Sequence, residues 1–311
     1  MCIRDSDNPT PANPQMGIKI VSGAGLGVTL EPGHDYSRLG ESWSSPRIIR
    51  LPNDGPGDSN FNDDPYVAIM GGGFGTQNSG VGSNLTIVNM EHSTLYGTIE
   101  KTINITDLNT NDIVNSTPGL PVVITPDTAT GVDYRGALVY VNDLEGKITK
   151  FNLTNMTADQ LGSPILLYDN KTLFTAAAKT TNGRYMYHSK DVEKQERGRI
   201  WLFGATSEYD RINDTTPGVS NYLLGIKDPH YPYFRDVAFP TKDDDITKCK
   251  NTTNDTNGVH CPKTADKGWY AILPNFAKTT AEPTAKSGNV FFPVYEPTTG
   301  LNRCFLGDAY I

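Results

Sequence analysis

The chain has 311 residues, with 27 Lys and Arg against 35 Asp and Glu and a net charge of -8. An acidic surface without a basic run argues against nucleic acid or anionic membrane as a partner, and no apolar run is long enough to cross a bilayer as a helix. Thirty Gly and 21 Pro, with abundant Asn, Thr and Asp, fit a turn-rich chain with room for one large domain or two ordinary ones.

The opening hexapeptide, Met1-Cys-Ile-Arg-Asp-Ser6, lacks the charged start and apolar core of a signal peptide and looks like a translated sequencing adapter. Residues 1–15 are therefore expected to be an artefactual or disordered lead-in, with Asp7 to Gln15 rich in Pro and Asn. Gly17 to Leu30 reads as a strand pair. Strands are then predicted over Arg47–Leu51, Tyr66–Phe74 and Asn84–Met90. Gly119–Thr125 opens a second unit, which continues through Gly136 to Leu153 with a hairpin turn at Leu144-Glu-Gly146. A third unit opens at Phe174–Lys179 and takes in Arg199–Phe203 and Asn221–Lys227. A fourth opens at Thr279 and runs through Val290 to Tyr295. Thr157 to Leu161 is long enough for one helical turn before Gly162 and Pro164 stop it, and nothing longer has a helical period.

One pattern recurs through these units. An apolar strand is followed, after a polar gap, by a second strand that ends in Gly or an acidic turn. The second strands are Tyr66-Val-Ala-Ile-Met-Gly-Gly-Gly-Phe74, Gly136-Ala-Leu-Val-Tyr-Val-Asn-Asp-Leu-Glu-Gly146, Gly198-Arg-Ile-Trp-Leu-Phe-Gly-Ala205 and Gly288-Asn-Val-Phe-Phe-Pro-Val-Tyr295. Degenerate all-strand repeats with Gly and aromatic punctuation predict an all-β fold, and a β-propeller over residues 16–311 in particular. Four units are few for a closed ring, and the sequence stops within what reads as a strand at Leu306–Ile311, so a propeller cut at both ends is expected. Trp43, Trp201 and Trp269 are read as core rather than as ligand-stacking residues. Gly71-Gly-Gly73 is read as a place where strands pack closely, not as a phosphate cradle.

The ordered set resembles the β-propeller domain of the PilC/PilY family, large proteins associated with the tips of bacterial type IV pili. The resemblance runs through Leu39-Gly-Glu-Ser-Trp43 with Pro46, the Tyr66 strand, and Tyr134 to Leu153 with its Asp-Leu-x-Gly turn. It continues through Arg199–Gly204, Asn221–Asp228, Gly268–Pro274, Glu282-Pro283 and Val290 to Cys304. It implies a secreted or cell-surface location at the pilus tip, minor pilins as partners, and a non-enzymatic role in pilus biogenesis and cell adhesion.

The family resemblance also implies a calcium-binding acidic loop before the Asp-Leu-x-Gly strand pair. Here that segment is Pro126-Asp-Thr-Ala-Thr-Gly-Val-Asp133. Calcium requires several hard oxygens on a sharply turning loop. Asp127 and Asp133 offer carboxylates, Val132 its carbonyl and Thr130 a weak hydroxyl, while Ala129 stands where a stronger ligand belongs. The alternative is an ordinary Asp/Gly turn. A second acidic loop, Asp58 to Asp64, has alternating oxygen side chains but no Gly at the turn, and is read as solvated. So is the run Asp243-Asp-Asp245.

Cys249 and Cys261 bracket a hydrophilic loop. They are either a disulfide that restrains it, worth about 3 kcal/mol at most and implying a compartment outside the cytosol, or two surface thiols. Cys304 has no evident partner. The five His form no zinc-like pair, and no nucleophile elbow, P-loop or dinucleotide fingerprint is present. Asn-x-Ser/Thr triplets at Asn84, Asn104, Asn115, Asn152, Asn155, Asn170, Asn213, Asn251 and Asn254 signal glycans only in a eukaryotic secreted chain; an Asn- and Thr-rich bacterial chain makes them by chance. Two further readings stand beside the pilus module. A quinoprotein-dehydrogenase-like propeller enzyme would carry a coloured redox cofactor. A glycosylated receptor piece would lose mass on endoglycosidase treatment.

Overall fold

The computed structural model describes residues 18–20, 28–30, 33–52, 60, 62–75, 80–91, 96–105, 115–125, 134–158, 162, 164–179, 181–194, 199–207, 217–234, 247–248, 268–274, 276–298 and 307–311. Among them every regular element is a β-strand. A short hairpin pairs β1 (Ile18–Ile20) with β2 (Val28–Leu30), as the sequence predicts. A first sheet follows as an antiparallel meander of β3 (Arg47–Arg50), β4 (Tyr66–Gly71), β5 (Asn84–Asn89) and β6 (Ile99–Asn104). The second sheet is another meander, β7 (Val122–Ile124), β8 (Gly136–Asn142), β9 (Lys147–Thr154) and β10 (Asn170–Thr175).

The third sheet is built on β11 (Asp191–Lys194), β12 (Ile200–Ala205) and β13 (Tyr222–Asp228), with β15 (Gly268–Ile272) beside β13 and the short β14 (Thr247–Lys248) parallel to β15 at the edge. A fourth, three-stranded sheet joins β16 (Lys278–Thr279), β19 (Val294–Glu296) and β20 (Asp308–Tyr310). Between its first two strands a hairpin of β17 (Thr284–Lys286) and β18 (Asn289–Phe291) folds back on β11: Ala285 N donates to Asp191 Oδ2 (2.6 Å) and Gly288 N to Glu193 Oε1 (2.8 Å).

Side-chain alternation along each strand explains how the sheets stack. On β8, Ala137, Val139 and Val141 face the first sheet, where they meet Val67, Ile69, Leu85 and Ile87. Leu138 and Tyr140, on the opposite face, meet Ile200, Leu202, Leu224 and Ile226 of the third sheet. The third sheet repeats the arrangement. Trp201 and Phe203 point the other way, onto Phe292 and Val294. The second and third sheets are thus buried on both faces, which is why β8 and β12 read as near-continuous apolar runs. Gly225 lies opposite Trp269 in the ladder, and a Cβ there would meet the indole Nε1 at 2.2 Å, so only Gly lets that ring lie across the strand.

Two sequence expectations change. Phe174–Lys179 does not open a third unit. Its first residues belong to β10, where Phe174 pairs with Ile148 and closes the second sheet, because an antiparallel neighbour one loop away is the nearest partner available. Thr157 and Ala158 are not helical; Ala158 makes an isolated bridge to Pro164.

Asn84, Asn115 and Asn152 are buried, so these triplets mark structure rather than glycan sites. Asn84 Nδ2 donates to Arg38 O (2.9 Å) and Asn152 Nδ2 to Leu166 O (2.9 Å). In both triplets the Thr two residues on, Thr86 or Thr154, donates its hydroxyl to the Asn Oδ1. The spacing is that of two neighbours on one strand face, which is a physical reason for the pattern beyond chance.

Candidate functional site

The residues proposed for calcium, Asp127, Val132 and Asp133, lie outside the described residues, as do Thr130, Cys249, Cys261 and Cys304. The frame around the acidic loop is described. β7 and β8, the strands the loop connects, are hydrogen-bonded neighbours with Ile124 opposite Leu138. Tyr134, the residue after Asp133, donates its hydroxyl to Pro232 O. Arg135 then grips Asp64 with two parallel bonds, Nε to Oδ2 at 2.9 Å and Nη2 to Oδ1 at 3.1 Å, while its backbone N–H donates to Asn155 Oδ1 (2.6 Å).

That clamp corrects the reading of the second acidic loop. Asp64 is not solvated; it is 4% exposed and its carboxylate is neutralised by Arg135. Its backbone carbonyl also accepts from Arg50 Nε and Nη2. A bidentate guanidinium occupies the oxygens a metal would need. Asn62 and Asp63 are exposed, with Asn62 N bonded to Asn60 Oδ1 (3.3 Å) in a local turn.

At the other end of the second sheet, the turn Asp143–Gly146 is buried under the segments that carry the chain from one sheet to the next. Leu144 N donates to Ser116 O (2.9 Å). Thr117 Oγ1 accepts from Gly72 N (2.7 Å) and donates to Gly82 O (2.8 Å), tying the first sheet to the same crossing. Gly71-Gly-Gly73 is a place of close packing, as read from the sequence: a Cβ on Gly71 would meet Thr117 O at 2.3 Å. On the far side, Asn142 Nδ2 donates to Met186 O (2.8 Å) and His188 O (2.9 Å), and its Oδ1 accepts from Lys190 Nζ (2.9 Å).

Four charged side chains are enclosed here: Asp143, Glu145, Lys147 and Lys190. Lys147 Nζ pairs with Glu145 Oε2 and lies 3.8 Å from Asp143 Oδ2. Asp143 Oδ1 accepts from Lys147 N (3.0 Å), but Oδ2 accepts no hydrogen bond among the described residues. Burial pushes the Asp143 carboxyl up to about 7, against the pull of Lys147. Burial likewise pushes the Lys190 ammonium down to about 7, against the pull of Asp143. Burial also lowers His188, which favours the neutral imidazole.

These shifts predict an unusual stability profile. Between about pH 4 and 7 the folded protein holds a proton on Asp143 that the unfolded chain has lost, so this group's contribution falls as pH rises. Between about pH 7 and 10.5 the unfolded chain holds a proton on Lys190 that the folded protein has lost, so that contribution rises with pH. Each slope is at most about 1.4 kcal/mol per pH unit. Urea melts across pH should show wild type losing ground to Asp143→Asn between pH 4 and 7, and gaining on Lys190→Met between pH 7 and 10. Parallel profiles for all three proteins would remove the buried titration.

The sequence did not single out this cluster beyond its turn. Nothing local to the turn announces the crossings that cover its charges. A second misreading concerns Trp43. Trp201 and Trp269 pack in or against the core between the third and fourth sheets, but Trp43 is 64% exposed. Comparison with known proteins returned no matching family model, no similar curated protein and no similar solved structure.

Proposed function

We propose that this chain is a β-propeller module of a type IV pilus tip protein, acting without catalysis in pilus biogenesis and adhesion, with calcium at the Asp127–Asp133 loop tuning its stability. The observation that carries the reading is the stacking of consecutive sheets through opposite faces, first on second, second on third, third on fourth. Sheets that follow one another in chain order and stack face to face suit a radial arrangement about one axis. The pilus assignment adds the ordered resemblance to the PilC/PilY family.

The Arg135–Asp64 clamp and the Tyr134 tether support the calcium element, because they hold one end of the loop in place without using its own carboxylates. The donor set of two Asp carboxylates and the Val132 carbonyl has the hard-oxygen chemistry calcium takes. Binding to the folded state alone would add about 2.7 kcal/mol at a hundredfold excess over the dissociation constant. Calcium should therefore raise the melting temperature of wild type, and EDTA should reverse the rise. Asp127→Ala and Asp133→Ala should show neither effect. Identical curves for all three proteins, with and without calcium, would remove the ion. The pilus reading is tested separately by size-exclusion co-elution with purified minor pilins; two independent peaks at micromolar concentration would count against it.

A further inference from the structure

The segment leading into β3 presents one aromatic ring in an organised setting. From Glu41 to Ser45 exposure alternates: Glu41, Trp43 and Ser45 face solvent, whereas Ser42 is half-buried and Ser44 buried. The inward residues bond to the end of β4. Gly71 N donates to Ser44 Oγ (3.0 Å), and Ser42 Oγ donates to Gly71 O (3.5 Å). Glu41 exchanges a pair of backbone bonds with Phe74, N to O at 2.8 Å and O to N at 2.9 Å. The backbone on both sides of Trp43 is thereby pinned, and its ring meets Phe74 edge to face at 4.9 Å. Phe74 in turn approaches Tyr187 at 6.1 Å.

We propose that Trp43, flanked by the Glu41 carboxylate and the Ser45 hydroxyl, is a stacking platform for a neutral pyranose ring. The apolar C–H face of a sugar suits an aromatic ring that is held still and left in water. Its hydroxyls suit a row that offers a carboxylate on one side of the ring and a hydroxyl on the other. Pre-organisation matters because a ring already fixed loses little entropy on binding. A protein partner fits less well. The exposed apolar side chains here, Trp43 and, five residues on, Ile48 (62% exposed), are set among the exposed Glu41, Ser45 and Arg47, whereas a stable interface buries roughly 1,000 Å² and interface centres are depleted in charge. Nucleic acid is disfavoured by the net charge of -8. The platform would supply the proposed adhesion with a ligand class, yet it rests on the geometry around Trp43 and not on the calcium loop or the pilus reading.

Acrylamide quenching of tryptophan emission provides the test. Trp201 is 5% exposed and Trp269 half-buried, so quenching reports mainly on Trp43. The probes are methyl β-D-galactoside, methyl β-D-glucoside and cellotetraose. At least one should protect the emission saturably. By isothermal titration calorimetry, which does not need the Trp43 emission, Trp43→Ala should weaken binding of that probe about tenfold or more, as truncating a central aromatic anchor does, and Trp43→Phe should retain part of it. Glu41→Gln should weaken binding with an unchanged melting curve. The proposal falls if no probe protects, if Trp43→Ala binds as wild type does, or if sedimentation shows wild type self-associating through a contact that Trp43→Ala abolishes. Failure of the calcium or minor-pilin experiments would leave this result untouched.

Discussion

Asp228→Asn is expected to destabilise the protein by about 3–5 kcal/mol, the usual loss when one member of a buried ion pair is removed. Asp228 on β13 and Lys150 on β9 are 0% and 1% exposed at the side chain and lie 2.6 Å apart across the second and third sheets. Asp228 Oδ2 also accepts from Tyr140 OH (2.6 Å), and Oδ1 from His230 N (2.9 Å). Lys150 Nζ donates to Tyr233 O (2.7 Å) and lies 5.8 Å from the ring centres of Tyr140 and Phe234. Burial, reinforced by Asp228, raises the Tyr140 hydroxyl well above its usual value, so it stays a donor. Removing the carboxylate charge leaves an ammonium enclosed among aromatic rings without its counter-ion. The triple change Lys150→Met, Asp228→Leu and Tyr140→Phe removes the whole polar group and should cost less than the single one, because well-packed apolar replacements of a buried pair are near neutral. Urea unfolding of the two variants decides it. A single-variant loss under about 1 kcal/mol would mean that the pair does not couple the two sheets.

The second large effect is expected at Phe151, which is fully buried between the first and second sheets opposite Val139. Phe151→Ala should cost about 3–5 kcal/mol through lost burial and the cavity left behind. Phe291→Ala, at a side chain 51% exposed, should stay within about 0.5 kcal/mol. If stacking of consecutive sheets is what stabilises the molecule, the two phenylalanines must separate in this manner in thermal or urea melts. Equal losses would show that the apolar layer between the sheets contributes little.

Strands with strong apolar content were legible in advance. Tyr66–Gly71, Asn84–Asn89, Gly136–Asn142, Lys147–Thr154 and Ile200–Ala205 all lie where the patterning placed them, and the turn after Asn142 was correctly read as a hairpin. Edge strands were harder. Ile99-Glu-Lys-Thr-Ile-Asn104 and Asp191-Val-Glu-Lys194 carry mostly polar residues, because one side of an edge strand meets water or a covering loop. They pair because a neighbouring strand offers its free backbone groups, and that information is not in the segment itself. Trp43 was misread for a related reason. Large aromatics are buried on average, but this one stands on the outward register of an extended segment whose inward register is taken by Ser42 and Ser44.

Composition and strand patterning were enough to predict an all-β fold, the apolar strands that supply much of the interior, and the hairpin turn at Leu144–Gly146. These follow from local rules: alternation, turn chemistry and the need to bury apolar area. Tertiary structure alone decided which face of each sheet meets which neighbour, that Asp143, Glu145, Lys147, Lys150, Lys190 and Asp228 are enclosed, that Asp64 is clamped by Arg135, and that Trp43 is left in solvent. The environment of a charge or a ring depends on what the rest of the chain lays over it. That covering comes from segments tens of residues away, such as the crossing that brings Lys190 to Asn142.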